Sequence, residues 1–208
     1  MSDVSLHLSD ARLARLREVF SEAGHVRDEV PDPAAERIEA AVSLVLRARP
    51  SLDFLLIKRA ILERDPWSGQ MALPGGRWER GDSGLLHTAR RETLEETGID
   101  LAALGTPLGR LDDVAPVSPR LPKMRIAPFV FCVPGDTEAF VASPEIESVH
   151  WVSIDALLEP ETSSTVKIRF PEFSSDFPSY HVAGEHVWGL THRILTSFLD
   201  LYPTRSTE

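Results

Sequence analysis

Residues 75–98 read GGRWERGDSGLLHTARRETLEETG, and the rest of the chain is best understood outward from them. Glu92, Glu95 and Glu96 stand at i, i+3 and i+4 behind a Gly-Gly pair. At roughly 100° per residue, the three carboxylates share roughly 100° of arc on one helical face. Like charges at that spacing destabilise a bare helix, so a positive partner is expected there. Carboxylate oxygens on one face suit a hard divalent cation, Mg²⁺ or Mn²⁺. The alternative is a solvated acidic face, and three neighbours argue against it. Pro74-Gly75-Gly76 permits a tight turn whose carbonyls can point at an ion. Arg91 stands beside Glu92 and can hold the cluster in register by charge-assisted hydrogen bonds. Gly98 ends the pattern as a helix C-cap.

The composition suits a globular domain. The 208 residues suggest one domain with small additions at either end. A hydrophobic content of 42% and a charged content of 26% provide a core and a solvated surface. A net charge of −10, from 22 basic and 32 acidic residues, disfavours a nucleic acid polymer bound by bulk electrostatics. It leaves room for a small phosphate-bearing molecule, because a metal and a few local cations can outweigh the global field. Cys132 is the one cysteine, which excludes a disulfide framework and a sulfur-based zinc site. No apolar run approaches about 18 residues and the first ten residues lack a signal-type apolar region, so no membrane partner and a cytoplasmic location are expected.

Periodicity and turn residues divide the chain. Ser9-Asp10 opens a helix through Leu13, Leu16, Val19 and Phe20 that ends near Gly24, followed by a polar linker from His25 to Ala35. Strands are expected at Ile38–Leu46 and Phe54–Ile57 around a turn at Pro50-Ser51, then at Met71–Leu73 leading into the glycine loop. The acidic helix runs from about Ser83 to Thr97. Further strands are expected at Leu104–Asp112, Met124–Val133 and Ser148–Val152, with a short helix at Ile154–Leu158. A polar, proline-bearing stretch extends to Pro178 with one strand inside it at Val166–Arg169. Tyr180–Val182 and Glu185–Trp188 form a hairpin about Ala183-Gly184. A last helix, Gly189 to Leu201, carries Leu190, Ile194, Leu195, Phe198 and Leu201 on one face. The division expected is 1–35 for helix and linker, 36–202 for the main domain and 203–208 for a flexible tail.

The quoted segment resembles the signature of the Nudix hydrolases, a glycine, a spaced acid and then R-E-apolar-x-E-E-x-G-apolar. Gly76, Arg91, Glu92, Glu95, Glu96, Gly98 and Ile99 match it, with Thr93 or Leu94 beside them. The box is a variant: Asp82 replaces the usual first glutamate, and Ser83 to Arg90 make the following spacer one residue longer than the common form. The resemblance implies an α/β/α sandwich with a mixed sheet, here with extra N- and C-terminal helices, and Mg²⁺- or Mn²⁺-dependent cleavage of a diphosphate bond. It implies Glu92, Glu95 and Glu96 as metal ligands, with the Gly75 carbonyl as an additional one. A loop glutamate outside the box often completes such sites, and Glu145, six residues before Trp151, has the better spacing than Glu147. For the general base, Glu95 or Glu96 comes first and Glu145 second; Arg91 orients a carboxylate.

Phe54 to Gly76 resembles the segment that precedes the box in Nudix coenzyme A diphosphatases, through Leu55, Leu56, Arg59, Gly69, Gln70, Pro74, Gly75 and Gly76. The ending Val187-Trp188-Gly189-Leu190-Thr191 is similar as well. The chain departs from that branch at Trp67, where a histidine is usual, and at Leu73, where an aromatic is usual. Trp67 either stacks on a substrate ring or packs under its loop. The expected partner is a nucleoside diphosphate derivative, coenzyme A first, with ADP-ribose, NAD(H), nucleotide sugars and oxidised nucleoside triphosphates as rivals. A catalytically silent nucleotide sensor and a homodimer stay open. Gln70 belongs to the substrate segment, and Arg59 and Arg77 precede Arg120, Lys123 and Arg125 as phosphate-binding candidates. His87, His181, His186 and His192 lack ligand companions at useful spacing, and Cys132, Trp151 and Trp188 read as packing residues.

Overall fold

The computed structural model describes residues 10–22, 28–63, 65–118, 121–169 and 174–202. Its elements run α1 (Ala11–Glu22), β1 (Ile38–Ala48), β2 (Leu52–Arg59), β3 (Met71–Ala72), β4 (Gly75–Arg77), α2 (Leu85–Thr97), β5 (Thr106–Arg110), β6 (Met124–Val133) and β7 (Ile146–Ser153). They continue with α3 (Ile154–Leu158), β8 (Ser163–Arg169), β9 (Ser174–Val182), β10 (Glu185–Trp188) and α4 (Gly189–Leu201). The mixed α/β architecture is the one expected. A seven-stranded sheet is mixed because β1 and β6 pair in parallel while its other pairings are antiparallel.

Residue parity along the strands builds the layers, since successive side chains leave a strand on opposite faces. Ala41 and Val45 of β1, Leu55 of β2 and Ala127, Phe129, Phe131 and Val133 of β6 pack with Leu85 and Ala89 of α2. Leu44 and Leu46, Phe54 and Leu56, and Val130 and Cys132 face the other way, toward α1, α3 and α4. Each fully buried Leu or Phe contributes about 1.5–3 kcal/mol, so the α2 helix is fixed to the sheet by packing rather than by propensity. Leu13, Leu16 and Phe20 of α1 belong to the larger core, so this helix is integral to the domain. Among the described residues no helix is long and apolar enough to cross a membrane.

Several expected bounds shift. The α1 helix ends at Glu22, and Gly24 lies outside the described residues, as do linker residues 25–27 and the 203–208 tail. The Gly-Gly loop is partly a strand, β4. The expected strand Leu104–Asp112 shortens to Thr106–Arg110, and Leu201 is exposed rather than on the buried face of α4. The largest correction is the stretch to Pro178, read as polar coil with one short strand. It holds all of β8 and most of β9, which join β10 in a second, three-stranded sheet. Its residues are mostly exposed, so no buried face imposes an apolar alternation on the sequence.

Candidate functional site

The site begins where the β1–β2 hairpin opens. The two strands pair directly only at Leu46–Ala48 with Leu52–Phe54. Beyond that, β3 pairs with β2 and β4 pairs with β1, so residues 71–77 wedge the strands apart. The Ser43 N–H donates to the Pro74 carbonyl at 2.8 Å and fixes the bend. Gly75 follows with φ +155°, and a Cβ there would meet the Ala41 carbonyl oxygen and Val42 Cα. A Cβ on Gly76 would fall on the Glu92 carboxylate. Both glycines therefore serve close approach of the backbone to its neighbours.

The α2 helix lies against this wedge. Thr93 Oγ1 donates to Ser43 Oγ at 2.8 Å, and Ser43 Oγ donates to the Ala89 carbonyl at 3.0 Å, pinning helix to strand. Gly98 adopts the left-handed conformation expected of a C-cap and donates to the Leu94 carbonyl. The other end is capped from a distance. Gly84 has no side chain, and the Leu86 N–H donates at 2.9 Å to Oδ1 of Asp28, in the N-terminal linker. The Leu85 N–H donates to the Glu29 carbonyl.

The three box glutamates occupy three different environments. With about 100° between residues, Glu96 turns toward the buried arc of Leu85, Ala89 and Thr93, while Glu95 falls on the far side of Glu92. Glu96 is buried, and its Oε2 accepts the Gly75 N–H at 2.9 Å. Burial, with the charges of Glu92 and Glu145, pushes its pKa up to about 8 against the pull of the Gly75 N–H and Arg59. Glu92 is half-buried, and burial raises its pKa against the neighbouring Arg91. Glu95 is exposed and turned to Arg91 Nη1 at 3.2 Å.

Arg91 joins the box together, as expected, and Asp82 is its anchor. Arg91 bonds Asp82 twice, Glu92 at 2.9 Å and the Arg77 carbonyl at 3.0 Å. Asp82 is buried, which by itself would raise its pKa. Hydrogen bonds from Arg91, the Glu79 N–H, Thr88 and His87 instead hold it well below the usual carboxylate range. The box aspartate is thus a structural anion, and His87 stands beside it with Nδ1 2.8 Å from Oδ1.

The facing rim comes from the loop after β2 and the strap before β7. Arg59 donates from Nε and Nη2 to Asp65 Oδ2 at 3.0 and 2.8 Å, and its Nη1 lies 4.0 Å from Glu96 Oε1. The Ala60 N–H donates to the Glu145 carbonyl and the Ala142 N–H to the Glu96 carbonyl, so Glu145 is carried to the rim of the carboxylate site with its side chain exposed. Trp67 is half-buried in the same loop, and Gln70 closes the loop through its carbonyl, which accepts the Arg59 N–H at 3.0 Å.

The remaining cations divide. Arg77 is exposed on β4, next to the glycines, and Lys123 is exposed at the start of β6. Arg125 is committed to Glu39 at 2.6 Å, Glu29 and Asp113, so a phosphate would have to displace three carboxylates. Arg120 lies outside the described residues. Burial pushes the Cys132 thiol up to about 12, which suits a core residue, and Trp151 packs with Arg47 4.0 Å from its ring centroid. Sequence reasoning passed over Asp65, Asp28 and Glu79, whose charge adds to that of Glu95 in raising Glu92. The Asp65-Pro66 turn pair could have pointed to Asp65; nothing local links Asp28 to a helix 58 residues on.

Among the described residues, no three His, Cys, Asp or Glu side chains are already gathered as a metal cluster. The donors nevertheless fit a hard cation. Glu92 and Glu96 crowd two carboxylates beside the backbone of Gly75 and Gly76. Burial first, with the charge of Glu92 second, raises the pKa of Glu96, a cost to the carboxylate form that a bound cation would offset.

A model of the NUDIX domain matches residues 36–170. An uncharacterized protein of Schizosaccharomyces pombe is 33% identical over 156 residues, 65% of this chain and 47% of that protein. The chain therefore spans about half the length of that relative. A Yersinia pestis (strain Pestoides F) protein named as an uncharacterized Nudix hydrolase is 26% identical over 162 residues, 78% of each chain. The crystal structure of a MutT/nudix family protein from Enterococcus faecalis aligns with a TM-score of 0.49 at 18% identity, over 96% of this chain and 73% of that one.

Proposed function

The chain belongs to the Nudix family, and we propose that it is a metal-dependent hydrolase that cuts the diphosphate bond of a nucleoside diphosphate derivative, with coenzyme A or a close derivative as its substrate. The observation that carries this reading is the buried Glu96, held by the Gly75 N–H, crowded by Glu92 and Glu145 and faced by Arg59. Glu92 and Glu96 would hold the cation, with the Gly75 carbonyl and a reoriented Glu95 able to add oxygens. A bound Mg²⁺ or Mn²⁺ supplies charge neutralisation at the phosphates and eases ionisation of water.

The protein's own groups do the rest. Arg59 and Arg77 flank the carboxylate face and suit phosphate oxygens, for which a guanidinium offers two parallel donors. Glu95 is turned to Arg91 and Glu96 is engaged with Gly75, which favours Glu145 as the group that accepts the proton of the attacking water. Water oxygen bonds to one phosphorus, the bridging P–O bond breaks, and the bridging oxygen leaves on the other phosphate. Two phosphomonoesters result. Arg91 keeps Glu92 in place, its guanidinium engaged with Asp82, Glu92, Glu95 and the Arg77 carbonyl.

The coenzyme A reading rests on the Phe54–Gly76 segment, and the departure at Trp67 keeps ADP-ribose, NADH and oxidised nucleotides as competitors. The test is hydrolysis with Mg²⁺ or Mn²⁺, products resolved by mass, for coenzyme A, acyl-coenzyme A, ADP-ribose, NADH and 8-oxo-dGTP, with Glu96→Gln alongside. Release of 3′,5′-ADP and 4′-phosphopantetheine by the wild type alone supports the full proposal. Cleavage of another compound retains the hydrolase and replaces the substrate. No cleavage of any compound under either metal refutes the catalytic reading in favour of a sensor.

A further inference from the structure

We propose that Asp65 is a positioning residue that sets the distance between the phosphate-reading and ring-reading side chains of the substrate site, an inference that rests on the diphosphate reading above. Its two carboxylate oxygens have separate partners. Oδ2 accepts from both Nε and Nη2 of Arg59, at 3.0 and 2.8 Å. Oδ1 accepts the backbone N–H of Trp67 at 3.0 Å. The residue carrying that carboxylate is itself held: its N–H donates to the Leu62 carbonyl at 3.2 Å, and its carbonyl accepts the Ser68 N–H at 3.1 Å.

The consequence for Arg59 is geometric. With Nε and Nη2 both committed to one oxygen, the planar guanidinium has little freedom to swing, and Nη1 is the nitrogen that faces Glu96 Oε1 at 4.0 Å. A phosphate drawn to the Glu92–Glu96 face meets that edge. The consequence for Trp67 is equally direct, since its backbone N–H is tied to the same carboxylate and the residue is half-buried. Moving Asp65 would move both contacts together, so the loop acts as a fixed span between a diphosphate and an aromatic ring. A nucleoside diphosphate derivative whose ring lies at that span is favoured, and a bare diphosphate gains only the Arg59 half.

The two halves can be separated by substitution. Asp65→Asn retains an oxygen for the Trp67 N–H and removes the anion that orients Arg59. It is expected to lower kcat about tenfold with KM little changed. Asp65→Ala removes both anchors and is expected to raise KM about tenfold in addition, for the base-bearing substrate that the wild type cleaves best. On an Arg59→Ala background, Asp65→Asn is expected to cause no further loss in kcat, because it acts through Arg59. A loss of equal size on both backgrounds overturns the proposal, and so does a loss in Asp65→Ala that follows a lowered Tm with kcat and KM falling out of the predicted split. Binding of ADP with Mn²⁺, read as the fluorescence difference between wild type and Trp67→Phe, supplies a measurement free of turnover. About tenfold weaker ADP binding in Asp65→Ala upholds the spacing role even if no diphosphate is cleaved; unchanged affinity overturns it. A wild type that binds ADP and hydrolyses nothing refutes the hydrolase reading instead.

Discussion

Arg91 closes a two-pronged bond on Asp82, Nε to Oδ1 and Nη2 to Oδ2, each at 3.0 Å. The pair is the point from which the rest of the acidic face is held, because the same guanidinium reaches Glu92, Glu95 and the Arg77 carbonyl. Removing one member of such a pair leaves the other charge without its partner. Asp82→Ala is expected to cost about 3 kcal/mol, the lower end for a buried pair, because Arg91 keeps Glu92 and Glu95. That corresponds to a fall in Tm of about 6–12 °C by calorimetry. Asp82→Asn should lower Tm less and weaken Mn²⁺ affinity by about tenfold, through Arg91 and Glu92, whereas Glu92→Gln should weaken Mn²⁺ more at little change in Tm.

Glu96 gives the metal-free protein a distinctive pH response. Burial and the carboxylates around it raise its folded pKa to about 8, above its unfolded value. Between the two values the folded state holds a proton that the unfolded state has released, so this group's contribution to stability falls as pH rises from about 4.5 to about 8. Cation binding needs the carboxylate, so it expels that proton and strengthens with pH over the same interval. Calorimetric titration with Mn²⁺ at pH 7 in buffers of different ionisation enthalpy is expected to give a release approaching one proton, and Glu96→Gln close to none.

Gly75→Ala tests the wedge between β1 and β2. The new methyl group would strike the Ala41 carbonyl and Val42 Cα, both backbone atoms of the central strand. A cost of about 1–3 kcal/mol in urea unfolding is expected. Displacing the Gly75 N–H from Glu96 by about 1 Å should lower kcat/KM by about 100-fold in the folded fraction.

The distant cap on α2 predicts a reversal of sign. Asp28→Ala frees the Leu86 N–H and should destabilise by about 1 kcal/mol, or about 2–4 °C in Tm. Gly84→Ser in the wild type should also destabilise, since its Cβ would meet the Asp28 carboxylate. In the Asp28→Ala background the same serine has room, sits in extended backbone that any residue adopts, and can cap the helix itself. Its effect on Tm should then turn positive.

What could be read from the sequence follows from where burial writes its pattern. Helix α2 was legible because Gly98 marks its end and its apolar and acidic positions keep a helical period. The strands of the main sheet were legible because both faces are covered, giving runs such as Phe129 to Val133. The β8–β9 hairpin was not, because water on its faces asks for no apolar alternation, and Pro178 sits inside the strand it would argue against. Within the site, the three glutamates were evident but their inequality was not. Spacing alone puts them on one side of a helix; which of them meets the sheet depends on how Ala89 and Thr93 dock on β1. Asp65 and Asp28 act across loop and linker, where no period operates.

The opening of the β1–β2 hairpin separates two kinds of duty. The Gly75–Gly76 backbone and the α2 carboxylates are fastened to β1, whereas residues 60–70 hang from β2 by the bond between the Arg59 N–H and the Gln70 carbonyl. A flexible loop that doubles in length costs only about 0.6 kcal/mol more to close. Insertions or deletions between Arg59 and Gln70 can therefore accumulate while the carboxylate face stays put. The architecture thus keeps a segment that can vary in length mechanically apart from the carboxylates that stay fixed to β1.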